Sequence, residues 1–150
     1  MLLTSIIDEA YGVIEPSYPG SKLYEVHTPI IDPIMSPDDI DNMDLVFYVP
    51  DNKTGTIPWE TGALGSVQVV DMPWLQDEVI PSPINLDIND AVILMRDAGI
   101  SAPFICMTLR KPLYPWGINE AFYIFGCPQI SAHVFVGVDS HQVFQSNLSY

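Results

Sequence analysis

Cys106, Cys127, His133 and His141 could form a transition-metal site if the strands aligned them. A structural or catalytic zinc site draws on close pairs such as C-x-x-C or H-x-x-x-H, and these residues form no such pair. Cys106 falls in an apolar run, where a thiol behaves as a small buried hydrophobe. Cys127, in Gly-Cys-Pro, is expected at an exposed turn. A Cys127–His133 nucleophile pair lacks any accompanying acid–base or oxyanion signature. Asp38, Asp39, Asp41, Asn42 and Asp44 resemble a cation loop only at first sight. Met43 stands at a ligand position, and the glycine and closing glutamate of a calcium loop are missing. Glu60 and Glu120 are isolated carboxylates, and His27 alternates with apolar neighbours as a solvent-facing strand residue would. No nucleophile elbow, phosphate loop, dinucleotide fingerprint or zinc-protease motif is present. The expectation is no catalytic residue, no metal and no cofactor.

Recognition is the chemistry left. Trp59, Trp74, Tyr114 and Trp116 all fall beside prolines or glycines, outside the periodic stretches. Tryptophan and tyrosine offer large rigid contact areas with a polar handle. With Asp51 and the carboxylates Glu60, Asp77 and Glu78 they would form an aromatic and acidic patch. The candidate partner-binding set is therefore Trp59, Glu60, Trp74, Asp77, Glu78, Tyr114 and Trp116. The competing reading makes the aromatics lids on the ends of a small core. Arg96, Arg110 and Lys111 are read as structural counter-charges, with a small anion spot beside Trp116 as the alternative.

The charge balance restricts the partner. Nineteen acidic side chains face five basic ones, a formal charge of −14. Binding to a nucleic-acid backbone needs Lys and Arg, and an anionic membrane surface would repel this chain. A basic protein partner would be drawn to it. The opening residues lack the basic, long apolar and small-residue features of a signal peptide. No apolar run approaches the ~18 residues of a membrane helix. Two cysteines exclude a disulfide scaffold, so a reducing, cytoplasmic setting is expected.

The elements that must position these residues are clearest late in the chain. Ile88, Ala91, Val92, Met95 and Ala98 trace one face of a helix, with Asp87 or Asn89 as cap, Arg96 in the last turn and Gly99 beyond it. Strands are expected at 102–109, 121–125 and 133–138, then a short last piece at 142–145. Earlier, Ser5 caps a helix burying Ile6, Ile7, Ala10, Tyr11 and Ile14. Strands follow at 21–28, 45–49 and 65–70, Ser36 starts a short helix, and 51–64 reads as a long exposed loop. The stretch 71–83 reads as a proline-rich connection.

The helix, the three strands and the closing Val138, Asp139 and Val143 resemble PepSY-type domains over roughly the last 60 residues. The D-x-x-T-G usual after that family's final strand is replaced here by Asp139-Ser140-His141-Gln142-Val143. The resemblance implies a small α+β module used in protein–protein inhibition or binding. The fold expected is α+β, an antiparallel sheet packed on one face by two helices. It forms a single domain over 1–150, with a degenerate duplication pairing αβββ units 1–80 and 84–150. In that pairing 45–49 corresponds to 122–125, and 66–71 to 133–139.

The function expected is a non-catalytic acidic protein of inhibitor, immunity or adaptor type that recognises another protein. The alternative is a subunit that self-associates through exposed strands such as 45–49 or 133–138. A small-ligand protein or enzyme would need a pocket with converging polar groups.

Overall fold

A computed structural model of the chain describes residues 1–113 and 119–147. Its elements run α1 (Leu3–Ile14), β1 (Lys22–His27), β2 (Asn42–Val49), β3 (Lys53–Glu60), β4 (Ala63–Leu64), β5 (Gln68–Val70) and β6 (Asp77–Glu78), then α2 (Ile88–Asp97), β7 (Cys106–Pro112), β8 (Phe122–Cys127), β9 (Ala132–Gly137) and β10 (Val143–Asn147). The strands form an antiparallel sheet in the order β10-β9-β8-β7-β1-β2-β3-β4, with β5 on β3 and β6 on β7. The class is mixed α+β, with more strand than expected.

Asp87 caps α2 as the sequence indicates, accepting from Ile88 N at 2.7 Å. Its carboxylate also caps the other helix, accepting from Leu3 N at 3.0 Å and Thr4 N at 3.2 Å. Ser5 is therefore not the cap of α1, which begins at Leu3 after Leu2. Arg96 closes the end of α2 by donating to the carbonyls of Ile100, Ala102 and Met35, a structural use of that cation. Ser36 starts only a 3-10 turn, Pro37–Asp39.

The long loop expected at 51–64 is instead a strand, β3, paired with β2 over eight positions. Its Gly55 and Pro58 are packing features. A Cβ on Gly55 would come 3.0 Å from Val49 Cγ2 and 3.2 Å from Ile14 Cδ1. Pro58 lacks a donor but its carbonyl accepts from Gly65 N at 2.7 Å. Within the expected strand at 65–70, only Gln68–Val70 is extended, pairing with β3 as β5. Residues 45–49 and 133–138 lie in β2 and β9, inside the sheet, so neither strand has an edge free for self-association.

Side chains alternate across the sheet. Leu45, Phe47, Met107, Leu109, Tyr123, Phe125, Cys127, Val134 and Val136 join the buried residues of α1 and α2 in one core cluster. Cys127 is thus fully buried, where a turn was expected, because β8 runs on through Gly126. The opposite parity set lines the other face. The register places Asp44, His27, Thr108, Ile124, Phe135 and Phe144 in one row across five strand pairs, and Val46, Glu25, Arg110 and Phe122 in the next.

Candidate functional site

The second row brings Glu25 of β1 opposite Arg110 of β7. β1 carries a bulge between Leu23 and Glu25, so Tyr24 has no partner in the register. Beyond this bulge the edge of β7 is taken up by β6, with Asp77 opposite Pro112 and Glu78 opposite Lys111. The Ile80 amide returns to β1, donating to Leu23 O at 2.8 Å. The segment from Asp71 to Ile80 is thereby laid against both strands.

Asp77, Arg110, Trp74, Glu25 and His27 converge here. The side chain of Asp77 is fully buried, and its Oδ1 stands 2.6 Å from Arg110 Nε. That is an ionic contact whose hydrogen is not aligned on the oxygen. Trp74 Nε1 donates to Asp77 Oδ2 at 2.7 Å, and Arg110 Nη2 donates to Gln76 O at 2.9 Å. Glu25, also buried, lies 2.6 Å from His27 Nδ1. His27 Nε2 lies 3.7 Å from Asp44, and Lys111 pairs with Glu78 at 3.3 Å. Arg110 and Lys111 are thus engaged as counter-charges.

The charges bias one another's titration. Burial pushes the Asp77 carboxyl up, aided by Glu25 and opposed by Trp74 and Arg110, to about 6. For Glu25, burial is outweighed by the hydrogen bond to His27 and by Arg110, which hold it below the usual carboxylate range. The hydrogen bond to Glu25 raises His27 against the effect of burial.

Glu25, His27, Trp74 and Arg110 line a groove of about 980 Å³. Its floor is the sheet, with Cys106, Thr108, Ile124, His133 and Phe135 beside Glu25, His27 and Arg110; one wall is Trp74, Leu75 and Gln76. Ile30, Leu75 and Leu113 stand on its rim, 80%, 75% and 46% exposed. Cys106 is half-buried on this floor with its thiol pushed up by burial, and burial lowers His133. Neither ring nor thiol is primed as a base or nucleophile.

The sequence-derived set divides. Trp74 lines the groove and donates to Asp77, which is buried behind its wall, and Glu78 pairs with Lys111. Trp59 is a core residue of β3, 9% exposed, and lines a separate cleft with Ile6, Ile40 and Thr61. Its loop placement came from flanking Pro58 and Gly62, which belong to the strand and the turn after it. Glu60 is exposed at the end of β3. Tyr114 and Trp116 lie outside the described residues. Glu25 and His27 were missed as a pair, although an E-x-H spacing puts both side chains on one face of a strand. Among the described residues no group of three or more His, Cys, Asp or Glu could hold a metal ion, and no helix is long and apolar enough to cross a membrane. No protein family, curated protein or solved structure matches the chain.

Proposed function

We propose that this is a non-catalytic recognition module that binds a segment of another protein in the groove, with both helices covering the opposite face of the sheet. The observation that carries this reading is the rim. Three large apolar side chains, Ile30, Leu75 and Leu113, stand exposed around one concavity whose wall holds an indole. Apolar rims with a central aromatic are the anatomy of recognition sites. The polar groups that converge on the floor are paired with one another, which favours binding over turnover. The overall charge of −14 steers basic partners toward the molecule. A binding role is also what the PepSY-type resemblance implies.

The test compares partners captured from lysate by the wild-type protein, by Leu75→Asp with Leu113→Asp, and by Met72→Asp as an exposed control. The reading expects one stoichiometric protein, retained by the control and lost with the rim variant. A partner that both variants retain would sink it.

A second reading, self-association, has one observation in its favour. The edge strand β10 carries no charged residue or proline over Val143–Asn147, and such features are what usually keep edges apart. A concentration-dependent sedimentation coefficient abolished by Gln145→Pro would support it. A monomer at all concentrations would end it.

A further inference from the structure

The groove runs along the strands. Glu25 and His27 of β1 stand level with Arg110 and Thr108 of β7. The Ile31 amide donates to Ile105 O at 2.8 Å, so Ile30 lies level with the residue just before β7, while Leu113 just follows that strand. From 105 to 113 is about 26 Å at ~3.3 Å per residue. Ile30 and Leu113 therefore mark the two ends, and Glu25 and His27 sit on either side of the midpoint. Leu75 belongs to the Leu113 end, because Asp77, two residues on, pairs with Pro112.

The ends are apolar, and the middle is negative whatever the state of His27. Glu25, Asp44 and Asp77 are three carboxylates around one permanent cation, Arg110. That is an excess of two, which a protonated His27 reduces to one. Lys111 adds nothing, since Glu78 takes it up. Thr108, Gln76 and His133 set hydroxyl, amide and imidazole groups along the groove, the donors and acceptors an extended backbone needs.

We propose that the groove takes an extended stretch of the partner protein in which one basic side chain stands between apolar ones on the same face. The cation lies by Glu25 and Asp44, and the apolar side chains meet Ile30 at one end and Leu75 and Leu113 at the other. The inference rests on the recognition reading and deepens it by naming the partner's chemistry. Side chains of an extended chain return to one face every second residue, the same repeat as the floor, so about nine residues span the groove. A wholly apolar stretch would strip water from the excess charge with nothing in exchange, and an acidic one would add to that excess.

The probe is the fluorescein-labelled nonapeptide Leu-Ser-Leu-Ser-Lys-Ser-Leu-Ser-Leu, followed by fluorescence anisotropy at low ionic strength. Replacing its lysine by glutamate is expected to weaken binding about tenfold. Asp44→Lys, at a side chain 45% exposed, should reverse that preference. Asp44→Asn should shrink it without reversal, which serves if the charge reversal unfolds the protein. Leu75→Asp with Leu113→Asp should abolish binding of both peptides. The inference is overturned by no binding, by equal binding of the two peptides or of a scrambled peptide of the same composition, or by a lysine preference that neither Asp44 variant moves. In that event a lysate partner still lost with the rim variant leaves the recognition reading standing, whereas a partner indifferent to the rim removes both.

Discussion

Thr4 Oγ1 donates to Asp87 Oδ2 at 2.6 Å across a sequence separation of 83 residues. The same carboxylate accepts the Leu3, Thr4 and Ile88 amides. One side chain thereby satisfies the opening turns of both helices, where unpaired amides and the positive end of the helix dipole both favour an anion. Asp87→Ala should destabilise the protein by about 2–4 kcal/mol, more than one cap is worth, because two helix starts lose their acceptor. Thr4→Ala should cost about 1 kcal/mol. In urea unfolding the double variant should be less destabilised than the sum of the singles, since both act on one network. Simple additivity would show that Asp87 caps each helix independently of Thr4.

Trp59 and Trp74 should separate stability from binding. Trp59→Ala removes a core side chain and should cost about 3–5 kcal/mol. Trp74→Ala should weaken partner capture at a smaller cost in stability, about 1–3 kcal/mol from the acceptor it leaves unpaired on the buried Asp77. Loss of binding with Trp59→Ala at full stability would contradict its core placement.

Gly137 is held open by its neighbours. A Cβ there would lie 2.5 Å from Glu120 Oε1, the oxygen that accepts from the Asp139 and Ser140 amides at 2.9 and 3.0 Å. Gly137→Ala should destabilise by about 1–3 kcal/mol through overpacking of this turn. Burial raises the Glu120 carboxyl, but hydrogen bonds from Ser140 and Asp139 prevail and hold it low. Its contribution is present above the ordinary 4.5 and disappears as pH falls through the lower folded value. Glu120→Gln should accordingly reduce the acid sensitivity of thermal unfolding below pH 4.5.

The thiols should differ by access alone. Burial raises both, Cys127 to about 11 even with Arg96 nearby. Iodoacetamide at pH 8 should label Cys106 slowly and leave Cys127 untouched until the protein unfolds. Mass spectrometry of the labelled peptides reads this directly, and native labelling of Cys127 first would reverse the two assignments.

What the sequence discloses follows from how local each signal is. α2 was legible because its apolar period, cap and terminal cation lie within one short stretch. β3 was not, because Gly55 and Pro58 are read as breakers when only neighbours in sequence are considered. Their reason lies in α1, β2 and the turn at Gly65. The exchange of roles between Cys106 and Cys127 has the same origin. Strand parity decides which thiol faces the core, and parity depends on where the strand starts. Trp74 and Asp77 were recognisable as residue types suited to contact, but Glu25, His27 and Arg110 join them only through the β1–β7 register and the bulge at Tyr24.

That register also governs how fast the molecule can assemble. The two halves of the sheet meet at three residue pairs, Glu25 with Arg110, Val26 with Leu109 and His27 with Thr108, each joining positions more than half the chain apart. The hairpins on either side close short loops, whereas this junction must overcome the entropy of a very long one before any of its contacts form. Refolding is accordingly expected on the slow scale of non-local β proteins, on the order of milliseconds to seconds. The groove, built across that same junction, would be among the last features to take shape.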